Sequence, residues 1–339
     1  MTKLAKISVL GAGSWGTGLA AVAAPQAERV LLWDIDQEVL SAIHDRHENT
    51  RYLPGIELDP KIDAAPDIRE VLRGAEAVII AVPTVAIAQV LSPVKELIAA
   101  NIPIISAAKG LGEAQLRFPS QIIRDSLARK DRGGIFVLSG PSFAKETARG
   151  MPTAVAFAGE DIAAAERWAG LFHSPFFRTY PSDDMMGVEV AGAFKNVIAI
   201  AAGAVDGLGY GDNARAAIIT RGLAEIMRAG RHFGAQPLTF QGLAGMGDLV
   251  LTCTSRQSRN CRLGYLMAKG KSLEESLDEL GETAEGMYTA KAARKLSREQ
   301  HVDLPIANEI YAALYEGKPP RDVAETLMTR PMRADVEQA

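Results

Sequence analysis

Seven short apolar runs punctuate the first 180 residues of this 339-residue chain, and no further strand-like run follows Asp183. They are Ile7–Leu10, Val30–Trp33, Ala77–Val82, Ile102–Ser106, Ile135–Leu138, Ala154–Ala158 and Phe176–Tyr180. Their apolar residues are continuous rather than alternating, which is the pattern of strands covered on both faces. A mostly parallel sheet with crossover helices is therefore predicted. Helical patterns fill most of the gaps, at Trp15–Ala24, Gln37–Asp45, Val85–Ala99, Pro119–Arg129 and Ile162–Phe172. From Asp183 to Met328 the chain reads as long Ala-rich or charged helical segments, including the acidic amphipathic stretch Ser272–Leu280. The expected fold class is α/β. A sheet domain over residues 1–186 precedes a mainly α-helical domain over residues 187–339, and the tail after Pro331 is expected to fray.

Composition removes several function classes. A net charge of −4 gives no general basic face for nucleic acid or membrane surfaces. Cys253 and Cys261 form no CxxC and no disulfide framework, so a reducing cytoplasm is expected. The start MTKLAKISVLG runs straight into a strand and lacks a cleavable apolar region. Gly, Pro or charge is expected to break each apolar stretch before 18 residues, so no membrane span is predicted. No HExxH, CxxC or carboxylate cluster points to a metal. The five histidines (His44, His47, His173, His232 and His301) lie in no acid-paired motif and read as structural or solvated.

The first strand runs into Gly11-Ala12-Gly13-Ser14-Trp15-Gly16, a G-x-G-x-x-G turn that opens a helix. Asp34 ends the next apolar run about twenty residues on, completing the Rossmann-like context in which this otherwise weak motif carries information. Gly11 allows the tight turn, Gly13 lets a pyrophosphate approach backbone, and Gly16 lets helix and strand pack closely. The carboxylate of Asp34 can accept from ribose hydroxyls and repels a 2′-phosphate. Asp36 adds charge but reads first as a helix N-cap. The nearest downstream cations, Arg46 and Arg51, lie at least ten residues further on, so NAD is expected over NADP. Val82-Pro83 ends a strand at the ligand-binding edge, with simple strand termination an equal reading.

Three later segments look unlike scaffold. SAAKGLG (Ser106 to Gly112) puts Lys109 after a strand. SGPSFAKE (Ser139 to Glu146) puts Ser142 and exposed amides at another strand end, where an oxyanion can dock. GLAGMGDLVLTCTSRQSRN (Gly242 to Asn260) holds Asp248 behind a Gly-Met-Gly turn. It ends on Ser258-Arg259-Asn260, with an Arg in a first helical turn, a favourable phosphate clamp.

With GAGSWGTGLA, RYLPG, GAFKN and GETAEG, these segments appear in the order and spacing of bacterial-type NAD(P)-dependent glycerol-3-phosphate dehydrogenases. The chain resembles that family from about residue 5 to 320. The resemblance implies interconversion of sn-glycerol 3-phosphate and dihydroxyacetone phosphate by hydride transfer with NAD(H) or NADP(H). It also implies a homodimer, a small phosphorylated substrate and a role in phospholipid supply. It implies that Ser14, Trp15, Tyr52 and Ala144 contact the cofactor and that Lys109 sits where cofactor and substrate meet. Gly140 and Ser142 are expected to line the substrate, and Lys195 of GAFKN to accept the proton. Asp248, Ser258, Arg259 and Asn260 are expected to close on the substrate, with Arg259 and Glu285 also reaching the cofactor. One residue departs from the family pattern: Ile35 stands where members often carry Arg or His.

The chemistry supports Lys195 beside this. A lysine with an ordinary pKa of about 10.4 is a poor base at neutral pH. Apolar surroundings and a second cation such as Lys109 lower it, whereas a nearby Asp248 raises it, and the sequence leaves that balance open. Two other readings compete. A related two-domain dehydrogenase of a β-hydroxyacid or another sugar phosphate would share the Rossmann half and a helical-domain lysine. A non-catalytic nicotinamide sensor would keep GAGSWG without needing Lys109, Lys195 and Asp248 together.

Overall fold

The computed structural model describes residues 2–127, 133–281 and 283–332. Among these, eight strands form one sheet: β1 (Leu4–Leu10), β2 (Ala27–Trp33), β3 (Ile62–Ala64), β4 (Ala77–Ile80), β5 (Ile104–Ser106), β6 (Ile135–Ser139), β7 (Thr153–Gly159) and β8 (Phe177–Ser182). Their order is β3-β2-β1-β4-β5-β6-β7-β8. Neighbours are parallel through β6, β7 runs antiparallel to β6, and β8 is parallel to β7. All seven apolar runs are strands. β3 adds an edge strand that the pattern could not reveal, because Ile-Asp-Ala holds no apolar run.

The crossovers carry α1 (Ser14–Ala23), α2 (Gln37–Arg46), α3 (Ile68–Leu72), α4 (Ile87–Leu91), α5 (Pro119–Leu127), α6 (Ala144–Ala148) and α7 (Ile162–Ala169). The continuous helix expected over Val85–Ala99 is instead α4 between two 3₁₀ turns, Thr84–Ala86 and Ser92–Leu97. Pro93 causes the break, since it has no N–H for the helical ladder. The end of the predicted Pro119–Arg129 helix lies outside the described residues, as does the tail from residue 333.

Strand residues point alternately into two apolar layers. Val30 and Leu32 pack with Leu19 of α1 and Val39 of α2, while Leu31 packs with Val71 of α3 and Ile87 of α4. Every position of β4, β5 and β6 and the last four of β1 are thus buried, which is why these runs read as continuous.

The second half is helical: α8 (Met185–Leu208), α9 (Gly211–His232), α10 (Asp248–Thr254), α11 (Arg259–Ala268), α12 (Leu273–Leu280), α13 (Gly286–Gln300), α14 (Pro305–Tyr315) and α15 (Pro320–Met328). α12 starts with a reciprocal Ser272/Glu275 capping box. The expectation that every apolar stretch breaks early fails at α8. This 24-residue helix is long and apolar enough to cross a membrane, yet 94% of its most apolar window is buried inside the fold. Asp184 caps it, accepting from Gly187 N at 2.9 Å and from Gln236 N and Thr239 Oγ1 of the next loop.

The small residues of α8 serve close packing. A Cβ at Gly203 would collide with the Cys261 carbonyl, and one at Gly264 with the Ile200 carbonyl. α8 and α11 therefore meet backbone to backbone, holding Lys195 and Arg259 in one neighbourhood. The two halves also interlock. Leu111 and Phe118 of the β5–α5 loop lie in the helical core, with Phe118 edge-on to Phe233 at 5.0 Å. Glu189 of α8 accepts from Ser120 N and Oγ at 2.8 and 2.5 Å.

Candidate active site

The strand order reverses at β1, between β2 and β4, and ligands of such sheets bind beyond the carboxyl ends at that crevice. A cleft of about 330 Å³ opens there between sheet and helices. Its sheet side is built from the residues that follow β1, β4, β5 and β6, and its helical side from α8, α10 and the start of α11.

At the β1–α1 turn, Gly11 has φ +104°, and a Cβ there would press to 2.7 Å from the Ala81 backbone. A Cβ at Gly13, by contrast, would meet nothing within 4 Å. Gly13 is also the N-cap of α1 and supplies no side-chain cap, so the first-turn amides face open space. The buried Trp15 Nε1 has no acceptor among the described residues. An amide-lined hollow at a helix start fits a dinucleotide pyrophosphate.

Asp34 lies beside this turn and is not among the residues that line the cleft. Its Oδ2 accepts from Ala12 N at 2.6 Å and its Oδ1 from Asp36 N at 3.1 Å, so the carboxylate braces the glycine turn. Asp36 caps α2 as expected, accepting from Glu38 N and Val39 N. The expectation that these acids lack a nearby cation is overturned. Arg51 folds back to put Nη1 2.5 Å from Asp36 Oδ2. Sequence distance misled because Asn49, fully buried, ties the RYLPG loop to the glycine turn. Its Nδ2 donates to Ala12 O and Thr17 Oγ1, both at 2.8 Å, and its Oδ1 accepts from Tyr52 N. Among the histidines, His44 does acquire an acid partner, Asp63 Oδ1 at 2.7 Å on β3, which raises its pKa.

The chemical centre is a buried lysine–aspartate–lysine cluster. Asp248 Oδ1 lies 2.6 Å from Lys195 Nζ of α8, and Oδ2 lies 2.8 Å from Lys109 Nζ, just beyond β5. A π-helical turn, Leu243–Gly247, leads into α10 and delivers Asp248 at its first residue. Burial lowers the Lys195 pKa to about 8; Asp248 opposes that shift and Lys109 adds to it. For Asp248, burial alone pushes upward, but the two ammonium groups prevail and hold its pKa below the usual range. Lys109 also donates to Gly140 O at 3.3 Å, and Ser142 Oγ donates to the same carbonyl at 3.0 Å.

Arg259 opens α11, and Ser258 caps that helix by accepting from Cys261 N at 3.2 Å. Asn260 spans two helices, donating to Asn196 Oδ1 at 3.0 Å and accepting from Gly286 N at 2.9 Å. Burial raises the Glu285 pKa to about 7, against the lowering effect of Arg259.

Of the predicted residues, Ser14, Trp15, Tyr52, Lys109, Ser142 and Ala144 line the sheet side of the cleft. Lys195, Ser258, Arg259, Asn260 and Glu285 line the other. Asp248 and Gly140 sit directly behind this lining, bonded to Lys109. Gly11 and Gly16 are packing residues of the turn, and Asp34 faces the turn's amides. Several cleft residues were missed, among them Lys145, Gln257, Thr252 and Asn196. Thr252 accepts from Lys195 Nζ at 2.9 Å and donates to Asp248 O at 2.6 Å; its signal was its place one helical turn after Asp248. Asn196, next to Lys195 in GAFKN, carried no signal of its own.

Known proteins match this arrangement throughout. The profile described as NAD-dependent glycerol-3-phosphate dehydrogenase N-terminus matches residues 6–165, and its C-terminus counterpart matches residues 184–325. A glycerol-3-phosphate dehydrogenase (NAD(P)+) of Bacillus pumilus (strain SAFR-032) is 47% identical, covering 98% of this chain and 96% of its own. One from Anaeromyxobacter sp. (strain K) is 46% identical, covering 98% and 100%. The 2.1 Å crystal structure of glycerol-3-phosphate dehydrogenase from Coxiella burnetii superposes with a TM-score of 0.91 at 37% identity, covering 96% of this chain and 99% of its own. With both sequence halves and the whole fold in agreement, this chain belongs to the NAD-dependent glycerol-3-phosphate dehydrogenase family.

Proposed function

We propose that this enzyme interconverts sn-glycerol 3-phosphate and dihydroxyacetone phosphate with a nicotinamide dinucleotide, and that Lys195 moves the proton. The observation that carries the reading is the Lys195–Asp248–Lys109 cluster facing the same cleft as the glycine turn. The bound dinucleotide supplies or accepts the hydride. Lys195, as the ammonium, donates to the ketone oxygen in reduction, and as the neutral amine takes the hydroxyl proton in oxidation. Asp248 fixes both lysines, and Thr252 Oγ1 is a second acceptor for the Lys195 ammonium. Lys109 brings positive charge to the place where an alkoxide develops, favouring that transition state. Gly13, Ser14, Trp15, Tyr52 and Ala144 are the residues we assign to the dinucleotide, with Glu285 and Arg259 at its reactive end. Ser142, Ser258, Arg259 and Asn260 are assigned to the phosphorylated substrate. We place the domain division at residues 186/187, two residues into α8 and close to the change from β8 to α8 between Ser182 and Met185.

The decisive assay mixes protein, dihydroxyacetone phosphate and NADH and follows nicotinamide absorbance. Substrate-dependent NADH loss is expected, and none at any enzyme concentration would sink the reading. We further propose that NADH is preferred over NADPH. The support is the negative charge of Asp34 and Asp36 and the uncharged, 82% exposed Ile35 beside them. Arg51 offsets part of that repulsion, so the kcat/KM ratio is expected to be within about tenfold, since about 1.4 kcal/mol is one decade.

Arg259→Gln tests the phosphate clamp. Loss of a charge-assisted contact is expected to cost about 1.5–3 kcal/mol, seen mainly as a higher KM for dihydroxyacetone phosphate. Unphosphorylated dihydroxyacetone should be affected much less. Equal losses on both substrates would reduce Arg259 to a helix-start residue.

A further inference from the structure

We propose that Arg51 is the specificity-determining residue for the adenosine 2′-position, giving the site a usable partner for the 2′-phosphate of NADP(H). The inference rests on the nicotinamide reading above and deepens it. In sheets of this topology the adenosine ribose lies beyond the end of the second strand, where an acid favours a free hydroxyl and an arginine accepts a phosphate. The segment after β2 supplies Asp34, Ile35 and Asp36 and no cation. The cation comes from a different segment.

The fold brings it there by construction. Asn49 fastens the RYLPG loop to the glycine turn through three hydrogen bonds, and Tyr52 of that loop is part of the cleft wall. Arg51 reaches from this loop to the start of α2, its guanidinium 5.3 Å from the centre of the Tyr52 ring and its Nη1 2.5 Å from Asp36 Oδ2. It is half-exposed, whereas its acid partner is largely covered. Arg46, the other cation of this stretch, ends α2.

The charges around this point decide how Arg51 acts. One Asp34 oxygen accepts from Ala12 N of the glycine turn and the other from Asp36 N, so both are engaged by backbone amides. Asp36 is likewise committed to the start of α2, through Oδ1. Only its Oδ2 engages Arg51, and it does so at one nitrogen. A guanidinium carries five donors in a planar fork, so a dianionic phosphate can share it with Asp36 or draw it away. With NAD(H) bound, Arg51 stays on Asp36; with NADP(H), it turns to the 2′-phosphate. The pair is a gate whose opening costs one ion pair with a solvent-facing guanidinium, a modest cost. By this route a chain with two acids and an isoleucine at this edge would accept the phosphorylated cofactor.

The test is equilibrium binding and needs no turnover. NADPH, NADH, adenosine 2′,5′-bisphosphate and 5′-AMP are titrated into wild type, Arg51→Gln and Asp36→Asn, following cofactor fluorescence or calorimetric heat. Asn remains a good helix N-cap, so Asp36→Asn releases Arg51 without undoing α2. Arg51→Gln is expected to weaken NADPH and adenosine 2′,5′-bisphosphate by about tenfold or more, the range of a lost charge-assisted bond, while NADH and 5′-AMP change by less than about threefold. Asp36→Asn is expected to tighten the two 2′-phosphorylated ligands. Equal weakening of all four ligands by Arg51→Gln would overturn the proposal and leave Arg51 a brace for the loop. Unchanged binding of the phosphorylated pair in both variants would overturn it too. If dihydroxyacetone phosphate proves not to be a substrate but the 2′-phosphate discrimination follows Arg51, the substrate reading fails and this one stands.

Discussion

Replacing Lys195 by Met is expected to lower kcat for dihydroxyacetone phosphate reduction by about two to four orders of magnitude, the span for loss of a general acid–base group. Met keeps similar length in a buried position, and Asp248 still has Lys109 at 2.8 Å, so no carboxylate is left alone in the interior. NADH binding, measured by fluorescence, should therefore change little. A variant retaining a tenth of wild-type turnover at neutral pH would end the proton-transfer assignment. The wild-type pH profile checks the same group independently. Lys195 carries its proton below about pH 8 and loses it above. Reduction needs the ammonium, so its kcat/KM should fall as pH rises through about 8; oxidation needs the amine and should rise through the same region. Both limbs should disappear in Lys195→Met.

That pKa marks a boundary of what the sequence could say. The GAFKN lysine, the Asp behind GMG and the lysine of SAAKGLG were all legible as chemistry, and the fold gathers them within 2.6–2.8 Å. The direction of the Lys195 shift was not legible, because it depends on burial outweighing Asp248, and burial is a property of the packed helices. The sheet was legible for the same reason that its residues are buried on both faces. β3 and the 3₁₀ turns around α4 were not, since a three-residue edge strand and a proline break leave no periodic trace. Contacts between distant segments were the hardest to foresee. Asn49 is one polar residue in RHENTRYLPG, and nothing local marks it as the strut that carries Arg51 to Asp36. The expectation of two carboxylates without a cation failed there, because spacing along the chain was read as spacing in the fold.

Asp248→Asn should be nearly as damaging as loss of Lys195, by a different route. Asp248 is 1% exposed and is the counter-charge for one buried and one partly buried ammonium group. Removing one partner of a buried ion pair costs about 3–5 kcal/mol, because it strands the remaining charge rather than because the pair itself is worth that much. The protein can relieve the strain by releasing a proton. With Asp248 neutral, burial and Lys109 both push the Lys195 pKa down and nothing comparable pushes it up. The falling limb of the reduction profile should then move to lower pH than in wild type, with reduced activity at neutral pH. The linkage has a definite sign. A lysine whose folded pKa lies below its unfolded value binds fewer protons when folded, so stability rises with pH between the two values. That window begins lower in the variant than the wild-type value of about 8. The stability gap between wild type and Asp248→Asn, read from denaturant midpoints, should therefore be larger at pH 6 than at pH 9. An equal gap at both pH values, together with an unshifted activity profile, would mean that Asp248 holds the lysines by hydrogen bonding alone and contributes no charge to their titration.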